Sequence, residues 1–131
     1  MRILVVDDDT ALCNLLQAVL TRAGHSVEVI QSAFGLCNRV AGRDPGHPAP
    51  DMVILDHVLP GLSGGSSLQM LAKDPRTRHV PVILHSSMDP DSLTRESAQH
   101  PACWVVPKTG RSAQLLSMVG QVQQQSASAK S

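Results

Sequence analysis

Four groups of residues carry side chains suited to chemistry, and each closes an apolar run. Asp7-Asp8-Asp9 follow Ile3-Leu4-Val5-Val6, and Asp56 follows Met52-Val53-Ile54-Leu55. His85-Ser86-Ser87 follow a run from Val80 to Leu84, and Pro107-Lys108-Thr109 follow Trp104-Val105-Val106. Carboxylates drawn into one pocket repel each other, and a divalent cation relieves the repulsion. Oxygen-only ligands suit Mg²⁺, which keeps several waters and takes one or two carboxylates. A lysine beside such a site holds an anion, for which phosphate is the natural candidate. Taken singly, each residue has an ordinary reading. Asp9 or Thr10 caps a helix, Asp56 belongs to a turn before Pro60-Gly61, Ser86 bonds to backbone, and Lys108 is solvated surface. Their shared position at the ends of apolar runs is what sets them apart. His57 and His85 sit beside these positions without a converging third ligand. On a strand His85 points away from Ser86, so a packing role is expected for it.

The runs that hold these groups read as strands. Ile3–Val6, Val27–Ile30, Met52–Leu55, Val80–Leu84 and Trp104–Val106 are short and apolar, mostly without polar alternation, as expected of strands covered on both faces. Between them lie helical patterns. Thr10–Ala23 has apolar residues at 11, 12, 15, 16, 19, 20 and 23, with Gly24 as its stop. Weaker patterns cover Ala33–Ala41, Ser66–Lys73 (ended by Pro75) and a stretch between Asp91 and Gln99. Ser112–Gln124 is the last. Gly42–Pro50 is a Pro/Gly loop, and Pro60-Gly61 with Gly64-Gly65 bracket another. Alternating strands and helices imply a parallel sheet with helices on both faces, doubly wound. In such sheets the site lies at the carboxyl ends of the strands, where all four chemical groups fall.

The chain has 131 residues, which is one domain's length. Lys+Arg and Asp+Glu are both 11, so no basic nucleic-acid footprint shows in the totals. One Trp, one Phe and no Tyr exclude an aromatic platform for single strands. Cys13, Cys37 and Cys103 show no CxxC spacing and read as free thiols, packed as small hydrophobes. The first apolar run stops at Asp7, too short for a signal peptide, and no run has the ~18 apolar residues of a membrane span. A cytoplasmic location without membrane association is the expectation.

The quoted residues resemble a known family, the receiver domain of response regulators in two-component signalling. "ILVVDDD" is similar to the family's first strand and acid pair, and "PDMVILDHVLPGLSG" to its phosphoacceptor strand and loop. "VPVILHSS" is similar to the strand carrying its hydroxyl, and "VVPKTG" to its lysine segment. The separations of 30 residues from Asp56 to Ser86 and 22 from Ser86 to Lys108 fit as well. The resemblance implies an α/β chain with a flavodoxin-like (βα)5 fold and strand order 2-1-3-4-5. Residues 1–124 would be the receiver, and 125–131 a disordered tail or linker stub. Asp56 would be the phosphoacceptor, Ser86 and Lys108 would bind phosphoryl oxygens, and Mg²⁺ would be held by Asp7, Asp8, Asp56 and the carbonyl of Val58. The implied function is phosphorelay. A histidine kinase or histidine phosphotransfer protein donates, and a downstream protein target, unnamed by the sequence, reads the state. Family members commonly signal through the face of the fourth helix, fifth strand and fifth helix. The resemblance further implies a monomer or weak dimer that binds no nucleic acid itself and is not a dedicated enzyme.

The chain departs from the family in two places. Lys-Pro is usual after strand five, whereas here the order is Pro107-Lys108-Thr109. A Tyr or Phe is frequent on that strand where Val105 stands. Trp104 is adjacent but belongs to the opposite strand face. Two rivals are weaker. Haloacid-dehalogenase-type phosphatases share the Asp7-x-Asp9 pattern but need an acidic motif after the lysine, and Thr109 to Ser131 contains no Asp or Glu. A degenerate receiver would have lost an acid, the acceptor or the lysine, and this chain keeps all of them.

Overall fold

In a computed structural model the described residues are 1–32, 35–36, 50–56, 58–59, 62–75, 77–86, 89–98, 103–107 and 112–130. Five strands, β1 (Arg2–Val6), β2 (Ser26–Ile30), β3 (Met52–Leu55), β4 (Val82–Ser86) and β5 (Cys103–Pro107), form one parallel sheet. Its order is 2-1-3-4-5, as the resemblance implied. The described helices are α1 (Thr10–Arg22), α2 (Gly64–Lys73), α3 (Pro90–Ser97) and α4 (Ser112–Lys130).

The continuous apolar runs are explained by two cores. Leu4, Val6, Val53, Leu55, Val82 and Leu84 face one layer with Leu36, Leu68 and Leu71. Ile3, Val5, Met52, Ile54 and Ile83 face the other with Cys13, Leu16 and Leu20 of α1 and Leu115, Val119 and Val122 of α4. The central strands β1, β3 and β4 thus alternate between two buried faces, so their apolar runs carry no polar alternation, whereas the edge strands β2 and β5 are largely half-buried. Full burial of each such side chain contributes about 1.5–3 kcal/mol. Val105 packs with the first cluster and Trp104 with the second, on opposite faces as expected.

α1 starts at Asp9, whose carboxylate accepts from the Leu12 N–H at 3.2 Å. It stops where Gly24 takes φ +95, a left-handed conformation that only glycine adopts cheaply. The His25 N–H then reaches back to the Leu20 carbonyl at 3.1 Å.

Several boundaries differ from the sequence pattern. β4 begins at Val82 rather than Val80: Val80 is in a turn whose N–H bonds to Thr77 at 3.0 Å, and Pro81 has no N–H for a ladder. α2 begins at Gly64, not Ser66, because a helix's first turn tolerates glycines that its interior resists. The bracketed loop before it contains a small antiparallel pair, Val58–Leu59 with Leu62–Ser63. α4 continues to Lys130, past the expected end at Gln124: its Gln, Ser and Ala residues have no apolar face but include no helix breaker. The helix expected over Ala33–Ala41 lies mostly outside the described residues, although Gly35 and Leu36 are helical.

Cys13 and Cys103 are free thiols, and Cys37 lies outside the described residues. Burial pushes the Cys103 thiol up to about 12, against a smaller opposing pull from a backbone hydrogen bond with Leu84. Among the described residues no helix is long and apolar enough to cross a membrane.

Candidate functional site

Two adjacent strands, β1 and β3, deliver acids to one edge of the sheet. Val6 pairs with Leu55 in register, and the Asp56 N–H continues the ladder to the Val6 carbonyl at 2.8 Å. Asp7 and Asp56 therefore leave neighbouring strands at the same level, where strands lie about 4.7–4.9 Å apart. On the other side the Asp7 N–H bonds to the Ile30 carbonyl of β2 at 3.1 Å. One carboxylate oxygen from each of Asp7, Asp8 and Asp56 lies within 4.8 Å of the other two. Asp7 is 3% and Asp56 6% exposed, while Asp8 opens to solvent.

Asp9 takes no part in this group. Its carboxylate caps α1, and its N–H donates to Asp7 Oδ1 at 2.9 Å. The three consecutive acids thus divide into two that face the site and one that starts the helix. Gln31, just past β2, donates from Nε2 to Thr10 Oγ1 at 3.0 Å and ties the site's outer rim to the first turn of α1.

Ser86 is the last residue of β4 and is fully buried. Since Leu84 pairs with Leu55, Ser86 lies one residue beyond the level of Asp56 on the adjoining strand. Ser86 in turn pairs with Pro107, the last residue of β5. The chain therefore leaves β5 toward Lys108 at this same edge. Lys108 itself, with Thr109 and His57, lies outside the described residues. Val58 opens the short strand just beyond Asp56. His85 is buried within the sheet, in line with packing.

Three all-oxygen acids on two strand ends, one of them solvent-facing, fit a hard divalent cation that retains water. Nitrogen- or sulfur-seeking metals are poorly served by this set.

One polar residue of the site was not singled out from the sequence. Cys13, 2% exposed, donates its thiol to the Asp7 carbonyl at 3.3 Å. It shares the buried face of α1 with Leu16 and Leu20. That 13-16-20 spacing, one turn after the acids, was the available signal, but it reads equally as plain core.

The model of the response regulator receiver domain matches residues 3–120. The chain belongs to this family. Among relatives of the receiver domain, response regulator PleD of Caulobacter vibrioides is 39% identical over 88 residues, covering 67% of this chain and 18% of PleD. The chain thus corresponds to under a fifth of that relative's length. Protein PilH of Pseudomonas aeruginosa is 34% identical over 91 residues, 70% of this chain and 71% of PilH. In structure the receiver domain resembles that of a sensor histidine kinase from Pseudomonas aeruginosa PAO1, described with a magnesium ion coordinated in its active site cleft. The TM-score is 0.73 at 19% identity, over 92% of this chain and 94% of the other. The receiver domain is thus the kind of module that serves two-component response regulators.

Proposed function

We propose that this receiver takes a phosphoryl group onto Asp56 from a phosphohistidine of a histidine kinase or histidine phosphotransfer protein, with Mg²⁺ as the cofactor. The single observation that carries the reading is the meeting of the Asp7, Asp8 and Asp56 carboxylates within 4.8 Å at the carboxyl edge. In this reading an oxygen of Asp56 attacks the phosphorus, the phosphorus–nitrogen bond breaks, and the freed imidazole nitrogen keeps the electron pair. Asp7, Asp8, Asp56 and the Val58 carbonyl hold the metal. When bound, Mg²⁺ neutralises charge on the transferring group. Ser86, at the end of β4, donates to one phosphoryl oxygen, and Lys108 pairs with another. Positioning and charge neutralisation are most of what phosphoryl transfer requires. The domain itself is not a dedicated enzyme in this reading, since it accepts the phosphoryl group and slowly loses it to water without turnover of a separate substrate. Its downstream contact is placed on the face formed by α3, β5 and α4, with a protein as target. A cytoplasmic setting, a monomeric or weakly dimeric state and no nucleic-acid contact by this domain complete the reading.

Labelled acetyl phosphate with MgCl₂ tests it. Wild type incorporates label and Asp56→Asn does not, while the circular dichroism spectra coincide. Undiminished label on Asp56→Asn would overturn the assignment.

A further inference from the structure

The turn that carries the acid pair is held by hydrogen bonds from several directions. The Asp7 N–H is anchored on β2 through Ile30, and Asp9 reaches back to the Asp7 carboxylate. A further tie comes from below: Cys13 Sγ donates to the Asp7 carbonyl at 3.3 Å, in a buried setting. That carbonyl belongs to the Asp7–Asp8 peptide. A peptide is planar, so holding its oxygen fixes the plane from which Asp8 projects. Cys13 is itself held by its own N–H bond to the Asp9 carbonyl at 3.0 Å and by the apolar cluster around Leu16 and Leu20.

We propose that Cys13 is a positioning residue for the metal site, its thiol turning the Asp7–Asp8 peptide so that Asp8 joins Asp7 and Asp56. The inference rests on the metal reading under Proposed function. A purely apolar side chain of similar size would fill the same space in the core. It could not donate to a buried carbonyl, and a buried carbonyl left short of donors turns elsewhere. The role of Cys13 is therefore separable from packing, because donation and volume can be varied independently.

The test is calorimetric titration of the full chain with MgCl₂, alongside thermal midpoints in EDTA. Cys13→Ser keeps a donor and loses volume, while Cys13→Val keeps the apolar volume and loses the donor. Cys13→Ala serves as a second donor-less variant should valine not fit. The expected result is an Mg²⁺ dissociation constant raised about three- to fivefold in Val and Ala, the reach of one weak hydrogen bond. Cys13→Ser stays within about twofold of wild type, whatever its thermal midpoint. A merely structural role would instead make Mg²⁺ affinity follow stability. Wild-type affinity in both donor-less variants overturns the inference, as does a Ser variant as weak as Ala. If wild type itself takes up no Mg²⁺, the metal reading falls and this inference falls with it.

Discussion

The two ends of the sheet treat charge in opposite ways. At the amino ends, charged groups meet groups that suit them. The Arg2 N–H donates to Asp51 Oδ2 at 2.8 Å, the Met1 ammonium lies 3.2 Å from His25 Nδ1, and Arg78 Nε donates to His79 Nε2 at 3.2 Å. At the carboxyl ends, carboxylates from two strands are brought together. The first arrangement closes a fold, whereas the second works against it. Groups placed against their own electrostatic preference mark the end where binding is done.

Substitutions can break that contrast, beginning with the acids themselves. Asp8→Ala is expected to weaken Mg²⁺ at least about tenfold, as losing a ligand or its support does. Asp9→Ala should leave the affinity within a few-fold and lower stability by about 1 kcal/mol through the lost cap. Titration and urea unfolding of the two variants separate these effects, and the reverse pattern would shift the acid register by one.

The next contrast is one of sign. In EDTA, Asp56→Asn removes a like charge and should raise unfolding free energy on the order of 1 kcal/mol. At the other end, Asp51→Ala removes an acceptor for a backbone donor and should lower it by about 0.5–1 kcal/mol without changing Mg²⁺ affinity. Equal signs for the two variants would remove the distinction between the edges.

The smallest effect concerns His25. Burial holds its pKa below the ordinary 6.5, and repulsion from the N-terminal ammonium adds to this. The fold therefore favours the neutral ring. Between the lowered value and 6.5 the unfolded chain binds more protons, so stability falls as pH drops through that window and levels off beneath it. Urea midpoints measured from about pH 5 to pH 7.5 should show this slope in wild type and a flatter one in His25→Asn.

Most of the site was legible because strands buried on both faces advertise themselves. Four residues such as Met52–Leu55 have no other plausible place, and the residue after them must stand at an edge. The parts that escaped lack such a signal. Two-residue strands such as Val58–Leu59 are too short for any periodicity, and the glycines at 64 and 65 read as breakers although they open a helix. The division of labour between Asp8 and Asp9 was legible through helix capping. The thiol of Cys13 was not, because a cysteine on an apolar helix face looks like any small core residue until its distance to Asp7 is known.

The strand order also bears on how such a chain comes to be folded during synthesis. β1 is made first and offers two edges; β2 takes one and β3 the other, then β4 joins β3 and β5 joins β4. No strand has to be threaded between two that are already paired, so the sheet can widen at its open margin as residues emerge, at about 5–20 per second. The helices do not allow the same ease. Ile3 and Val5 share their core with Leu115, Val119 and Val122 of α4. The residues of β1 thus remain incompletely sheltered until those of α4, more than a hundred positions later, have been made. A nascent chain stalled before α4 would expose that apolar face, and it is there that a chaperone would find its hold.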